Sequence, residues 1–168
     1  MNRSRRKEIL ALAFLVALLP PVWAVSAPYL HVSVGPIALI CAGIYGANGN
    51  MFRDAPKISL GFLAGDTWAL LSAVITASPE AARLGNNLSL FLTLFVLGFL
   101  AVVIAMNLPN LFYLPAWLSG WAIGMLTMNM TRGIPLGKLS IQIGAAMLVG
   151  VFYVGALVDM LQKWITRK

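Results

Sequence analysis

Acidic residues, histidine and cysteine are scarce in this chain, and each scarcity excludes a class of function. Five residues are Asp or Glu, one is His and one is Cys. A single Cys41 excludes an internal disulfide and a thiolate metal cluster, and the one histidine, His31, is predicted in a short outer loop. There is no Gly-rich phosphate loop, zinc-ligand spacing or pair of carboxylates at a helical interval. We therefore expect no enzymatic activity, no cofactor and no bound metal.

Charge is also scarce, and apolar residues take its place. Apolar residues make up 60% of the chain and charged residues 10%. The apolar residues come in runs of about twenty, the length that crosses a bilayer core of about 30 Å. This predicts an all-α integral membrane protein, a single membrane domain over 1–168 whose partner is the lipid bilayer. Its six predicted crossings, of which the second and fifth are short, are about 8–27, 34–47, 58–77, 88–106, 113–128 and 139–161.

The first apolar run has two interpretations. Four cations precede it and a string of small residues follows at 24–27, which is also typical of a cleavable secretory signal. However, the run continues through Val22, Trp23 and Val25, and the repeat described below pairs it with a full crossing. We expect it to remain as the first helix, kinked by Pro20 and Pro21.

The net charge of +7 reflects orientation in the membrane and not nucleic-acid binding. The basic residues lie at the chain ends and in short loops, where the positive-inside rule predicts them. A cytoplasmic amino terminus leaves only Arg83, Arg132 and Lys138 of the 12 Lys and Arg residues outside. Six crossings then return the carboxyl terminus to the cytoplasm.

An internal repeat organises the chain. An ungapped offset of 79 places identical residues opposite each other within 36–65 and 115–144, against roughly two identities expected by chance. Gly, Pro, Asn and Arg are not residues that an apolar composition repeats by accident. The identical pairs include Pro36 with Pro115, Leu39 with Leu118, Ile44 with Ile123, Asn50 with Asn129, Arg53 with Arg132, Pro56 with Pro135, Leu60 with Leu139 and Gly65 with Gly144.

Because each copy holds three crossings, the second copy enters the membrane from the opposite side. The predicted fold is thus two inverted three-helix repeats, about 8–77 and 88–161, an arrangement found in many small-solute transporters. Crossings 2 and 5 would meet and enclose a polar path, because irregular backbone at that depth is tolerated where it lines a cavity or is packed in protein. Alternatively, Pro36 and Pro115 merely start helices, and Asn50 and Arg53 lie in ordinary interfacial loops.

Asp66 is the strongest candidate for a functional residue. It falls near the centre of the third crossing, where a carboxylate needs a wet cavity, a partner or a proton. Its repeat counterpart is Ala145, so the acid breaks the symmetry, as a substrate or proton site would. The alternative is a structural hydrogen bond between helices. The residues predicted on the substrate path are Asp66, its candidate partners Asn48, Asn50 and Arg53, the deeply placed Trp68, and the repeat counterparts Asn129 and Arg132.

Small residues four apart predict close helix packing in both copies. Gly61 and Gly65 share one face of the third crossing, and Ser140 and Gly144 repeat this spacing in the sixth. We interpret these positions, together with Pro36 and Pro115, as packing or hinge positions of the repeat.

Two segments resemble a known family. VGPIALICAGIYGANG followed by the Gly/Asp/Trp crossing, and LPAWLSGWAIG followed by a Gly-rich last helix, resemble the small bacterial inner-membrane family catalogued as domain of unknown function 1097. The resemblance covers about 33–160 and implies six crossings in a bacterial inner (plasma) membrane. It implies no catalytic or binding residues.

The leading functional hypothesis is a channel or facilitator for a small polar solute, with crossings 2, 3 and 5 around the path. We expect a homo-oligomer in which each subunit carries its own path. Three alternatives stay open: a proton-coupled carrier using Asp66, a substrate-binding subunit of a larger transporter, and a membrane assembly protein without transport.

Overall fold

The computed structural model describes residues 3–49, 51–131 and 133–166, and within these ranges the chain is helical with no strand. A π-helical segment at Gly150–Ala156 connects the last two helices without a break. Short 3-10 turns lie at Ala27–Leu30 and Phe52–Asp54. The helices are α1 Arg3–Ser26, α2 Ile37–Ala47, α3 Ala55–Thr76, α4 Pro79–Leu84, α5 Asn86–Asn107, α6 Leu114–Met130, α7 Leu136–Val149 and α8 Leu157–Thr166.

Four described helical stretches have the length and apolar composition to cross a membrane. They are Arg6–Leu30, Phe52–Thr76, Asn86–Asn107 and Leu136–Ile165, and they coincide with predicted crossings 1, 3, 4 and 6. The other two predicted crossings fall on α2 and α6, which have 11 and 17 residues. At about 1.5 Å per residue these helices are about 16 and 26 Å long, shorter than a bilayer core of about 30 Å. The short lengths agree with the sequence, and both helices start at the predicted prolines: Pro36 directly precedes α2 and Pro115 lies in the first turn of α6.

The short helix α4 lies between the third and fourth predicted crossings, where the sequence predicts no helix. Its start follows from local chemistry, since the Ser78 side chain accepts a hydrogen bond from the Ala81 amide at 3.2 Å and Pro79 occupies the first helical position. Gly85, with a φ of 82°, ends it in a conformation that favours glycine.

The described helices form two compact units, Met1–Ala55 with Ala145–Lys168, and Pro56–Gly144. In the first unit α2 packs on the π-helical segment and α1 packs on α8. Glycines allow the α2 contact. A Cβ on Gly150 would collide with the Ala38 carbonyl oxygen and lie 2.7 Å from the Cys41 Cβ, and one on Gly155 would lie 2.7 Å from the Tyr45 ring.

In the second unit α3 packs on α6, again through glycine. A Cβ on Gly65 would overlap the Trp117 carbonyl oxygen and lie 2.9 Å from the carbonyl carbon of Gly120. A Cβ on Gly61 would lie 2.7 Å from the Tyr113 carbonyl oxygen. Such bare backbone contact is what small residues four apart allow in membrane helices. Behind this crossing Trp117 packs with Ala101 and Ala105 of α5 in a buried cluster.

Each unit, taken by itself, repeats the same helix contact. Gly65 meets residues 117 and 120 of α6, and Gly150 meets residues 38 and 41 of α2, which are 79 positions earlier. The two glycines themselves are 85 positions apart, so the contact does not follow the ungapped sequence offset on the last helix. Gly144, which the sequence pairs with Gly65, instead lies beside Leu63 and Asp66 of α3. Each unit therefore combines helices from both predicted repeats.

Candidate functional site

Asp66 is buried in the Pro56–Gly144 unit, within the 25-residue apolar stretch Phe52–Thr76, and is 5% exposed. Ser140 of α7 donates a hydrogen bond to its Oδ2 at 2.5 Å. Its other oxygen, Oδ1, is buried and has no hydrogen-bond partner among the described residues. A carboxylate accepts about four hydrogen bonds, so most of its accepting capacity is unused.

Two glycines lie beside the Asp66 carboxylate, one on α6 and one on α7. A Cβ on Gly124 of α6 would lie 3.3 Å from Oδ1, and one on Gly144 of α7 would lie 3.9 Å from Oδ2. Any larger side chain at position 124 would intrude on Oδ1. These two glycines and Ser140 therefore frame Asp66, and we refer to the four residues as the Asp66 site.

The Asp66 site contains no positive charge. In the parts of the chain that the structure describes, Asp66 takes part in no ion pair, while Asp54 and Asp159 pair with Arg53 and Lys163. An ionised carboxylate buried without a counter-charge is strongly destabilising, more so within a bilayer. The site consequently favours a bound proton or a bound cation.

A polar cavity of about 330 Å³ lies in the same unit, one turn of α3 beyond Asp66. Half of its lining residues carry a hydroxyl or amide group, in contrast to the apolar composition of the chain. Its walls come from the last turns of α3, the start of α5 and the end of α6. The lining residues are Ala69, Ser72, Ala73, Thr76, Asn86, Ser89, Leu90, Met125, Met128 and Asn129.

Hydrogen bonds fix the α3 side of the polar cavity. The Ser72 hydroxyl donates to the Trp68 carbonyl oxygen at 2.8 Å and accepts from the Trp121 indole nitrogen at 2.9 Å. Thr76 donates to the Ser72 carbonyl oxygen at 2.8 Å. Because both hydroxyl protons are used within the helix, these groups present mainly acceptor lone pairs to an occupant.

Gly124 lies between the polar cavity and the carboxylate. Its position is within contact of Ala69, which lines the cavity, and of Oδ1 of Asp66. On the other side of Asp66, two turns along the same face of α3, Ser59 has a buried hydroxyl without a partner among the described residues. Ser59 and Asp66 thus lie on one face of α3, and the cavity begins at Ala69, on the next turn.

The structure distributes the other predicted path residues over both units. Asn129 lines the polar cavity. Trp68 lies on the opposite face of α3 from Asp66, where it donates to the Leu97 carbonyl oxygen at 2.9 Å and packs edge-on against Trp117 at 5.0 Å. It does not line the polar cavity.

Asn48 and Arg53 lie in the other unit and contact Asp54. The Asn48 amide donates to Oδ2 of Asp54 at 2.9 Å, and Nε of Arg53 lies 3.9 Å from Oδ1. Asn50 and Arg132 lie outside the described residues. The partner that the structure gives to Asp66 is Ser140, which the sequence predicted only as a packing residue.

Several residues of the site carry little signal in the sequence. Ser72 and Thr76 lie at the end of α3, and Asn86 and Ser89 lie at the start of α5, two helix ends that only the fold brings together. Gly124 could have been found, because it follows Gly120 by four residues and so belongs to the small-residue pattern.

Similarity to known proteins is found for this chain at the level of a sequence family. No curated protein and no solved structure matches the chain. The family model described as "Protein of unknown function (DUF1097)" matches residues 13–163, a range that includes α2 to α7, most of α1 and α8, and the whole Asp66 site. The chain therefore belongs to this family, as the resemblance in the sequence indicated.

Proposed function

We propose that the protein is a channel or facilitator for a small polar solute in a bacterial inner membrane, with both termini in the cytoplasm. The observation that carries the proposal is a cavity lined by hydroxyl and amide groups beside a buried carboxylate. Polar groups inside a membrane protein are unfavourable unless they face water, a ligand or one another. A solute path gives these groups such a role.

The proposed path follows one face of α3. A solute would enter the polar cavity near Asn86 and Asn129, pass Gly124 and reach Asp66, with Ser59 further along. The predicted orientation puts the end of α3 and the start of α5 outside, so the polar cavity would be the outer entrance. A volume of about 330 Å³ exceeds what urea or a small amide requires.

Six crossings in two inverted repeats belong to this proposal. The recurrence of the Gly65 contact at Gly150, on backbone positions related by the offset of 79, supports two related halves. In this arrangement α2 and α6 are the short second and fifth crossings, and each third helix packs on the short crossing of the other repeat.

A flux assay tests the path. Protein in liposomes should accelerate the entry of at least one of urea, acetamide, methylammonium and formate over protein-free liposomes. Ala73→Leu adds a branched side chain to the cavity wall and should reduce that flux several-fold. The matched control is Ala122→Leu, the same change at an exposed position of α6. If no solute of the panel crosses faster with protein, or if both variants behave alike, the path is refuted.

A second candidate function is a proton-coupled carrier, favoured by the single hydrogen bond on an otherwise unpaired carboxylate. A buried aspartate that gains and loses a proton changes its charge during each cycle. Under a pH gradient such a carrier would accumulate solute against its own gradient, and Asp66→Asn would abolish accumulation while allowing equilibration. A facilitator only equilibrates, so the final internal concentration decides between the two.

A further inference from the structure

The class of solute can be narrowed by asking what would satisfy the Asp66 site. Oδ1 is an acceptor without a donor in the described residues, and Oδ2 receives one hydrogen bond, from Ser140. The Ser140 oxygen itself retains acceptor capacity. Every polar side-chain group of the Asp66 site that can form a further hydrogen bond is therefore an acceptor. An occupant must donate the hydrogen bonds.

The charge of Asp66 narrows the class of solute further. No lysine or arginine among the described residues pairs with Asp66, so an ionised carboxylate there lacks compensation from the described protein. An anionic solute would add repulsion to this deficit, whereas a cation would remove it. The electrostatics of the site thus select against small acids.

Ligand number separates metal ions from organic cations. Hard metal ions need about six oxygen ligands, and the described residues contain no group of three or more His, Cys, Asp or Glu side chains that could hold a metal. Two carboxylate oxygens and one hydroxyl suit an N–H donor cation better, because three or four hydrogen bonds satisfy it.

The packing beside Oδ1 limits the size of an occupant. Gly124 is hydrogen-sized where a Cβ would lie 3.3 Å from Oδ1 and 2.5 Å from the Ala69 Cβ. An approach from the polar cavity to the carboxylate would consequently be tight at this crossing. Among N–H donor cations, this restriction favours the smallest, ammonium and methylammonium.

We infer that Asp66 and Ser140, framed by Gly124 and Gly144, bind a small ammonium-type cation and select it over anions and metal ions. This inference rests on the proposed solute path and names the solute class that the path prefers. The polar cavity supplies acceptor groups from Ser72 and Thr76 at the approach, so donor cations are favoured before they reach Asp66.

Uptake of labelled methylammonium, urea and formate into liposomes tests the inference. The wild type should take up methylammonium about ten- to hundredfold faster than formate, the factor that corresponds to one hydrogen bond to a charged group. Asp66→Asn keeps the shape of the side chain and should reduce methylammonium uptake by a similar factor, and reduce urea uptake less, because neutral urea gains less from the carboxylate charge. The control is Glu80→Gln, the same change of charge at an exposed position of α4.

The outcomes separate the two proposals. Equal uptake of formate and methylammonium by the wild type overturns the cation inference without any variant, even if Asp66→Asn fails to fold. Unchanged methylammonium uptake in a well-folded Asp66→Asn protein overturns it as well. If no solute crosses, the path itself fails, and binding alone decides the cation site: methylammonium chloride should raise the thermal stability of the purified wild type above sodium chloride at equal concentration. Absence of that difference, or its persistence in Asp66→Asn, rejects the site.

Discussion

Replacing Gly65 by alanine should destabilise the Pro56–Gly144 unit far more than the same change at Gly144 or Gly137. The new Cβ would overlap the Trp117 carbonyl oxygen and lie 2.6 Å from the Trp121 amide nitrogen. That separation is 0.8 Å short of the 3.4 Å at which ordinary van der Waals contact begins. Both obstacles are backbone atoms of α6, so no rotamer change relieves the overlap and α3 must move away from α6.

The expected loss follows from that movement. A gap of about 0.5–1 Å removes a quarter to a half of the dispersion attraction between the facing surfaces. Overpacking of this kind costs about 1–3 kcal/mol, and contact with backbone places Gly65→Ala at the upper end. At Gly144 the nearest obstacle is the flexible end of Leu63 at 3.2 Å, so the loss should stay below about 1 kcal/mol. At Gly137 nothing lies within 4 Å, and alanine should stabilise the helix by about 0.5–1 kcal/mol.

Reversible unfolding by sodium dodecyl sulfate in mixed micelles, followed by tryptophan fluorescence, measures these differences. Trp117 and Trp121, two of the five tryptophans, lie at the crossing, so its separation contributes to the signal. Methylammonium uptake, recorded on the same samples, shows whether a looser crossing also changes the approach to Asp66. Equal stability of Gly65→Ala and Gly137→Ala would refute the close backbone contact between α3 and α6.

Two further predictions concern tryptophan and cysteine. Trp121→Phe removes the hydrogen bond to Ser72 and should cost about 0.5–1.5 kcal/mol beyond the loss of ring area, and this part should disappear in a Ser72→Ala background. Trp117→Phe should show no such hydrogen-bond component, because the Trp117 indole nitrogen has no partner among the described residues. Cys41, the only cysteine, is fully buried against Gly150 and should resist N-ethylmaleimide in the native protein while reacting fully after denaturation. Equally fast labelling in both states would contradict the packing of α2 on the π-helical segment.

The helices themselves could be predicted because membrane spans depend on local composition. Runs of apolar residues located α1, α3, α5 and the last helix within a few residues of their observed ends. Proline, glycine and asparagine marked the short helices α2 and α6, since these residues act on the backbone next to them. Helix α4 was missed, although Ser78, Pro79 and Glu80 form a recognisable start, because its six residues are too few for a periodic pattern.

The packing partners could not be predicted, because they depend on register between helices distant in sequence. A partner or cavity for Asp66 was expected from its depth in the third crossing, whereas Ser140 is 74 residues away and its hydroxyl resembles any small packing residue. Because the repeat pairs Gly65 with Gly144, the sequence suggested equivalent roles for the two glycines. In the structure the contact made by Gly65 is made by Gly150 in the other unit, because close approach selects whichever glycine faces the short helix.

The two units differ in how they line corresponding gaps, and this difference bears on the proposed function. The Met1–Ala55 and Ala145–Lys168 unit has a cavity of about 350 Å³ among α1, α2 and the last helix, where the other unit has its polar cavity among α5, α6 and α3. The former is lined by aliphatic side chains and glycine: Leu12, Val16, Leu39, Ala42, Gly43, Gly46, Val154, Gly155 and Val158. A gap at this place is therefore a consequence of the shared helix packing, whereas hydroxyl and amide groups around it are not. Since the fold tolerates an apolar lining, the architecture does not account for the polar residues beside Asp66. This is the reason to seek the solute there.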